Sequence, residues 1–504
     1  MDDTALVFVR QELVPQRKAP VRTTGAVAWI QSRLFGSPTS IILTIVSALL
    51  LYFTVVPALQ FLVVDAVWTG SDRDACLPEK VGRTVGACWP FVQAKFQQFM
   101  YGFYPANQLW RVNIVFAVAV ILLIPLLIPR IPGKTLNAVL FFFAFPVVAY
   151  FLLSGGGIKG FGISWLADAL YAIADSIAGG GWRLRVSGGA LGWPGISQLL
   201  ALIGFAVWLI GQALLYILTP LTWLRETLQA SSNPVWNDFA LTAVVVSGLL
   251  FGLTRSVRAL IICIVTFAAI AALIGILGLH RGGLPIVSTR EWGGMLVTLV
   301  VSVTGIVASM PVGMALALGR RSQIPLIRAC SVIFIEFWRG VPLITVLFFA
   351  TYMLPLFMPQ GFSIDGMVRV LVGVALFSGA YNAEVIRGGL AAIPRGQGEA
   401  ASALGLSYWK TTGLIVMPQA LRHVIPGLVN SFIALFKDTT LVQIVAIFDL
   451  LGQLRASFAD PVWATPTTLF TGFAFAGLIY FVFCFAMSRY SMFVENRLNV
   501  HRRN

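Results

Sequence analysis

Long apolar segments recur along the 504-residue chain, and this recurrence constrains the fold more than any other feature. The hydrocarbon core of a bilayer is roughly 30 Å thick, so a helix needs about 20 apolar residues to cross it. Hydrophobic residues make up 58% of the chain and charged residues only 11%, which leaves too little polar surface for a soluble body. The alternating ten-residue segments of a membrane barrel are missing from the sequence. The sequence therefore predicts an all-α polytopic membrane protein, with apolar segments at about 40–64, 111–129, 135–153, 196–219, 239–254, 259–279, 292–318, 325–358, 367–390, 420–436 continued by 441–451, and 466–487.

Basic residues lie singly between these segments, although the formal net charge is +15. A nucleic-acid-binding protein would instead gather them on one polar domain. Short loops rich in Lys and Arg face the cytoplasm in membrane proteins, so we expect the following residues on that side. They are Arg10, Arg17, Lys18, Arg22, Arg33, Arg130, Lys134, Arg255, Arg258, Arg320, Arg321, Arg489, Arg497, Arg502 and Arg503.

This arrangement predicts that both termini are cytoplasmic, which requires an even number of crossings. The eleven apolar segments give an odd number, so one assignment must change. Either 163–180 also crosses despite Asp168 and Asp175, or 196–219 does not cross. The expected total is then twelve or ten.

Two cysteines occur in the loop 65–110, which this topology places outside the cytoplasm. Cys76 and Cys88 could form a disulfide that persists there, or they could remain free thiols; spacing alone does not decide. Cys263, Cys330 and Cys484 lie within apolar segments and are interpreted as small packing residues.

The chain is expected to have five parts. A signal peptide is not expected, because 39 mostly polar residues precede the first apolar segment. The parts are a cytoplasmic N-terminal segment 1–39, accessory transmembrane helices 40–157 with the extracytoplasmic loop 65–110, an inserted hydrophobic region 158–283 of uncertain topology, a transmembrane module 284–490 whose apolar segments have polar breaks, and a cytoplasmic tail 491–504.

The segment 396–418, GQGEAASALGLSYWKTTGLIVMP, is the most informative polar stretch. Basic residues flank it, which places it in the cytoplasm. A short helix there would carry Glu399 near its start, where the helix dipole favours an acid, and Gly405 would let the chain turn at its end. Pro418 would restrict the end of the segment that follows the turn. We expect a fixed helix and turn, standing clear of the membrane and docking to a rigid partner through an apolar surface of Ala400, Ala401, Ala403 and Leu404.

These residues resemble the EAA loop of ABC importer permeases, EAA-x3-G-x9-I-x-L-P. Six positions match, and Met417 occupies the leucine position; the six are Glu399, Ala400, Ala401, Gly405, Ile415 and Pro418. The segments EFWRGVPLI, YNAEVIRGGL, PQALRHVIPGLVNSF and LFKDTTLV are similar to the polar amino-acid branch of that family. More narrowly, 40–157 and 284–490 resemble the M-type permease of the general L-amino-acid importer of Gram-negative bacteria.

The resemblance implies a type I ABC importer (MetI-like) permease module preceded by extra N-terminal transmembrane helices, in a bacterial inner membrane. It implies that ATP and Mg bind a separate ABC ATPase dimer, and that no cofactor binds this chain. The other implied partners are a paralogous Q-type permease subunit and a periplasmic amino-acid-binding protein. The residues implied to dock the ATPase are Glu399, Ala400, Ala401, Leu404, Gly405 and Pro418.

Charged residues inside the apolar segments are candidates for the substrate pathway, because a charge at mid-bilayer costs about 2.5–3.5 kcal/mol on insertion scales. Asp438 is the favoured contact for a substrate ammonium, although Lys437 and Asp438 could simply neutralise each other. A broken helix here would expose backbone groups suited to a zwitterion. The substrate-binding candidates are Asp438, Lys437, Thr439, Asn430, Glu336 and Arg339.

Two charged pairs have three-residue spacing. Glu336 and Arg339 could form a helix-face ion pair that holds a kink before Pro342. Glu384 and Arg387 approach the cytoplasmic end of their segment, where long side chains reach water and structural roles are expected.

Catalytic functions find no support in the sequence. IPRIPGKT at 128–135 resembles a Walker A loop, but it has Ile128 where that loop needs Gly, and no strand precedes it. His280, His423 and His501 lie apart from any metal-ligand cluster, so no metal site is expected. An ion-gradient-driven secondary transporter or channel is the alternative class. It would show broken helices in corresponding positions of two halves, whereas polar breaks occur only in the C-terminal module.

Overall fold

The computed structural model describes residues 29–30, 33–128, 131–158, 160–190, 195–358 and 364–498. The topological assignments of Arg10, Arg17, Lys18, Arg22, Arg130, Arg502 and Arg503, and the search for metal ligands at His501, concern residues outside these ranges. Within them the regular structure is helical, and backbone bridges occur only singly.

The helices of eight or more residues explain the apolar segments of the sequence. In chain order they are α1 (Pro38–Val64), α2 (Trp89–Tyr101), α3 (Ala106–Leu127), α4 (Lys134–Ser154), α5 (Gly162–Ala190), α6 (Ile196–Gln229), α7 (Pro234–Thr254), α8 (Val257–Ile276), α9 (Gly294–Arg320), α10 (Pro325–Gly340), α11 (Leu343–Phe357), α12 (Gly366–Ala391), α13 (Arg395–Ala403), α14 (Tyr408–Val445), α15 (Leu450–Ser457) and α16 (Pro466–Leu498).

Nine of the described helices are long and apolar enough to cross a membrane: α1, α3, α4, α6, α7, α9, α12, α14 and α16. A tenth candidate is α10 with α11, which bend by 103° at their junction. Pro342 lies at this bend, so the expected kink is present. The multi-pass helical fold expected from the apolar segments is confirmed. The segment 196–219 forms part of a 34-residue candidate span, α6, and 163–180 lies in α5, which is less apolar.

The chain divides into two compact units, the first comprising Met1–Ala94 with Asp460–Gly472 and the second Lys95–Ala459 with Phe473–Asn504. In the first unit Cys76 and Cys88 form a disulfide with a Cα–Cα distance of 5.7 Å. Both cysteines are fully buried. The backbone N–H of Cys88 donates to Thr471 Oγ1 at 2.8 Å, and Trp68 stacks on Trp89. The bridge therefore lies in a packed loop.

The core of the second unit is built on the pairing of α9 with α12. Leu296, Val301 and Val374 are among the buried side chains of this core. A buried polar contact also joins the two helices, because the amide of Asn382 donates to Ser309 Oγ at 2.9 Å. Small residues bring the helices close: a side chain at Gly313 would press on Asn382.

The segment that contains α5 to α8 begins and ends at one place in the second unit. The N–H of Gly156 donates to the carbonyl of Leu284 at 2.7 Å, and the N–H of Ile158 donates to that of Leu279 at 3.0 Å. The buried guanidinium of Arg111 adds a hydrogen bond of 2.9 Å to the carbonyl of Pro285. The two ends of the region 158–283 are therefore held together by main-chain hydrogen bonds.

Candidate functional site

The segment containing the EAA residues forms a short helix, α13, followed by a left-handed turn. The N–H of Leu404 closes the helix on the carbonyl of Ala400 at 3.1 Å. Gly405 then adopts φ 74°, a conformation that an L side chain disfavours, and Leu406 N–H bonds the carbonyl of Ala401. This is a glycine-terminated helix of defined geometry.

The outer surface of α13 differs in one residue from the surface expected. Glu399, Ala400 and Leu404 are exposed, and Leu404 is 80% exposed. Ala401 is instead 1% exposed and packs inward. The four apolar residues cannot share one exposed surface, because consecutive helical positions lie about 100° apart around the axis. Ala401 anchors the helix while its neighbours face outward.

The second half of the EAA segment is continuous with the following helix, α14. Tyr408–Val445 is one candidate span, and Pro418 lies within it. A π-helical turn over Thr412–Val416 precedes Pro418. Proline has no backbone N–H, so it cannot make the regular α-helical hydrogen bond at this position. Pro418 therefore follows a local π-helical turn, and α14 continues beyond it. Tyr408 and Trp409 are 58% and 73% exposed, and the sequence analysis did not single them out.

The charged residues of α9, α10 and α12 form one network. Arg320 donates to Glu384 at 3.2 Å and to Glu336 at 3.1 Å. Arg387 binds the other oxygen of Glu384, and Arg339 lies 4.0 Å from that carboxylate. The sequence treated Glu336 with Arg339 and Glu384 with Arg387 as separate pairs. The second pair forms, but the first does not: Glu336 pairs with Arg320, and Arg339 lies nearest to Glu384. Sequence spacing could not reveal the link through Arg320, because that residue lies on a third helix.

The network carries an excess of positive charge, since three guanidinium groups face two carboxylates. Arg339 makes the weakest ion pair of the three and is 36% exposed, with its guanidinium 5.9 Å from the ring of Tyr381. Such a cation, held over an aromatic face, can accept a further anionic group. The sequence did not single out Arg320 or Tyr381 as site residues.

The polar residues of α14 divide between its exposed and buried sides. Asn430 and Lys437 are exposed and lie seven residues apart, which places them on one helix face. Asp438 is partly buried, and Thr439 is buried with its hydroxyl bonded to the carbonyl of Phe436 at 2.9 Å. The helix does not break here, because it tightens into a 3-10 turn over Thr439–Val445. The backbone carbonyls expected from a broken helix are therefore not released at Asp438.

The candidates thus fall into two groups. Among the described residues, no hydrogen bond or ion pair joins Asn430, Lys437 or Asp438 to the network around Glu384. The described ranges also contain no group of three His, Cys, Asp or Glu residues placed to hold a metal ion. Cys330, interpreted from sequence as a packing residue, is exposed, whereas Cys263 and Cys484 are partly buried.

Comparisons with known proteins give consistent results. Residues 309–500 match the family described as "Binding-protein-dependent transport system inner membrane component". The chain is 35% identical over 488 residues to the inner membrane amino-acid ABC transporter permease protein YhdY of Escherichia coli (strain K12), covering 97% of each chain. It is 38% identical over 503 residues to the glutamate/glutamine/aspartate/asparagine transport system permease protein BztC of Rhodobacter capsulatus, covering 99% of each.

A solved structure is also similar over part of the chain. It is a crystal structure of an amino acid ABC transporter with histidines, at 28% identity and a TM-score of 0.36, covering 40% of this chain and 92% of that one.

Proposed function

We propose that this chain, which belongs to the amino-acid ABC transporter permeases of the binding-protein-dependent transport family, moves L-amino acids across the bacterial inner membrane. As a permease subunit it is not itself an enzyme, since ATP is hydrolysed by a separate ATPase subunit of such transporters. Its many apolar helices place it in that membrane as a multi-pass protein.

The observation that carries the proposal is the outward face of α13. A short helix presents the exposed carboxylate of Glu399, and the exposed apolar side chain of Leu404 follows at its glycine-terminated end. Nothing else in the described chain covers Leu404. An exposed apolar residue and a charge on one short helix of defined geometry are suited to docking a partner protein.

The partner that docks on α13 is an ABC ATPase dimer, and ATP and Mg bind to residues of that dimer. Closure of the dimer moves α13 with Glu399, Ala400, Ala401, Leu404 and Gly405, and Pro418 lies on the membrane helix that follows. Because α13 is joined to α12 and α14, the motion reaches the helices that carry the charged candidates. A paralogous Q-type permease completes the pathway, and a periplasmic amino-acid-binding protein delivers the substrate.

A zwitterionic substrate needs an anion for its ammonium and donors for its carboxylate. Arg339 can donate to the substrate carboxylate, because of the three arginines in the network it is the one least paired with carboxylates. Asp438, with Lys437, Thr439 and Asn430 nearby on α14, supplies the first in our proposal, and Glu336 offers a second exposed carboxylate.

The same proposal includes the membrane topology. We place both termini in the cytoplasm, with α1 leading out to the loop 65–110 and its disulfide. Twelve crossings follow when α5, α8 and the bent pair α10–α11 are added to the nine plain spans. The domain boundaries expected from the sequence are retained in this proposal, with 158–283 as an insertion held at its base by the hydrogen bonds of Gly156 and Ile158.

Reconstitution tests this function. The chain would be produced with its ATPase and permease partners, purified through a tag on this chain alone, and placed in proteoliposomes. We expect the ATPase to copurify and amino-acid uptake to require internal ATP. Uptake by this chain alone, driven by an imposed ion gradient, would instead support the secondary-transporter class.

A further inference from the structure

The helix α5 runs antiparallel along α6 and is bound to it by close backbone contacts. A side chain at Gly181 would collide with Trp208, one at Gly204 with Arg185, and one at Gly211 with Ala178. Residue numbers rise on one helix as they fall on the other, which defines the antiparallel pairing. Because α6 is a candidate span of 34 residues, we infer that α5 lies in the membrane beside it.

The face of α5 that points away from α6 is unlike a lipid-facing surface. Helical periodicity places Ala172, Ser176, Gly179 and Arg183 on this face, with Asp175 at its edge. All five are exposed. A helix side in contact with acyl chains carries large apolar residues, whereas this one is small and polar over three turns. We call these five residues together with Gly180 the polar face of α5.

Two glycines on this face make no close contact with any other helix that the structure describes. Gly181 is explained by its contact with α6, but a Cβ at Gly179 or Gly180 would meet nothing within 4 Å. Glycine inside a helix costs roughly 0.5–1 kcal/mol relative to alanine. In membranes such glycines permit a second helix to approach closely.

Asp175 provides the independent observation. Asp168 on the same helix is paired with Arg225 at 2.6 Å, and Asp238 accepts hydrogen bonds from the start of α5. Asp175 makes no hydrogen bond or ion pair within the described ranges. The antiparallel register sets it beside Leu214, inside the apolar part of α6. Ionisable residues near the middle of a membrane pair with another charged or polar group.

From these observations we propose that the polar face of α5 binds a transmembrane helix of another subunit of the transporter, one that carries a basic side chain opposite Asp175. The proposal rests on the proposed function, because it assumes a multi-subunit transporter. Charge complementarity selects this occupant. A second copy of the chain, related by a twofold axis along the membrane normal, would bring two Asp175 carboxylates together, and lipid would leave the carboxylate uncompensated.

Site-specific photo-crosslinking in the assembled transporter tests the proposal. A photo-crosslinking amino acid replaces Ser176 on the polar face or, as a matched control, Val265, which is 61% exposed on α8. We expect a protein adduct at position 176, identified by mass spectrometry as a transmembrane subunit of the transporter, and none at 265. An adduct to lipid alone, or to a second copy of this chain, overturns the proposal.

Two substitutions measure the contact independently. Gly179→Leu fills space that is open in this chain and favours the helix, so the chain itself should remain folded. Asp175→Lys places like charges together. Gly179→Leu blocks the close approach of a second helix, and Asp175→Lys creates a like-charge contact that costs several kcal/mol at an interface. Each should therefore reduce recovery of the crosslinked subunit with this chain at least about tenfold.

The controls separate this proposal from the proposed function. Gly275→Leu, on α8 and equally open, should leave recovery unchanged. If Gly179→Leu and Asp175→Lys also leave it unchanged while ATP-dependent uptake persists, the docking surface is rejected and the transport function stands. Loss of ATPase copurification in the unaltered protein would instead reject the transport function.

Discussion

The guanidinium of Arg320 lies 3.2 Å from the carboxylate of Glu384, although 64 residues separate them in the sequence. Arg320 ends α9, and Glu384 lies on α12 three residues before Arg387. This contact places one carboxylate among three guanidinium groups. Glu384 therefore connects the helices that carry the charged candidates, and its loss should affect them together.

Glu384→Gln should lower the thermal stability of the purified protein. The side chain is 25% exposed and accepts charged hydrogen bonds from two arginines, so we expect a loss of about 1–3 kcal/mol. Glu336→Gln is the matched control. Its side chain is 53% exposed, and a pair of this exposure contributes roughly 0–1 kcal/mol. Equal destabilisation of the two variants in a thermal unfolding assay would contradict the central position of Glu384.

Glu399→Lys should insert normally into the membrane but fail to couple to the ATPase. The side chain is exposed on α13 and makes no hydrogen bond or ion pair with any residue that the structure describes, so the substitution mainly reverses the charge presented to the partner. Membrane abundance, ATPase copurification and amino-acid uptake are the measurements. Glu399→Gln is the control and should retain part of the uptake. Normal uptake by the lysine variant would defeat the docking proposal.

Asp438→Ala should weaken uptake while leaving ATPase copurification intact. Asp438 lies at the end of the α-helical part of α14, far along the chain from α13. Asp438→Asn distinguishes charge from shape: if the carboxylate binds the ammonium, both variants should raise the half-saturating substrate concentration about tenfold or more, because a charged hydrogen bond is lost. Unchanged transport of every amino acid tested would remove Asp438 from the site.

Removing the disulfide with Cys76→Ser and Cys88→Ser should loosen the loop 65–110. Twelve positions separate the cysteines, and closing a loop of this length stabilises a fold by about 3 kcal/mol in the chain-entropy treatment. Limited proteolysis from the extracytoplasmic side should cut the double variant faster than the unaltered protein. Maleimide labelling of the unaltered chain without reductant at these two cysteines would show that the bridge is absent.

Reporter fusions near residues 187 and 228 test the topology of the insertion. If α5 crosses the membrane, a fusion near 187 reports the cytoplasm and one near 228 the opposite side. Arg183 and Arg185 near the first position agree with a cytoplasmic location. Fusions that report the same side at both positions would exclude α6 as a crossing helix and return the count to ten.

Three features were predictable from the sequence, because each depends on local properties: the helical membrane class, the family, and the short helix with Glu399 that ends at Gly405. Apolar length sets the crossing of a helix, and a glycine after a short helix sets its end. Which residues of α13 face the body of the protein was harder to predict. Ala401 faces inward because adjacent helical residues point in different directions, and the sequence did not show which direction the body of the protein would occupy.

Only the tertiary structure decided which charges meet. Sequence spacing suggested the pairs Glu336–Arg339 and Glu384–Arg387, since it reports neighbours on one helix and nothing beyond it. Arg320 enters the network from a different helix because the packing of α9 against α12 brings its side chain there. The amino-acid sequence by itself determined that the chain is a helical membrane protein, because apolar length is a local property, whereas long-range packing determined which polar residues the helices bring together.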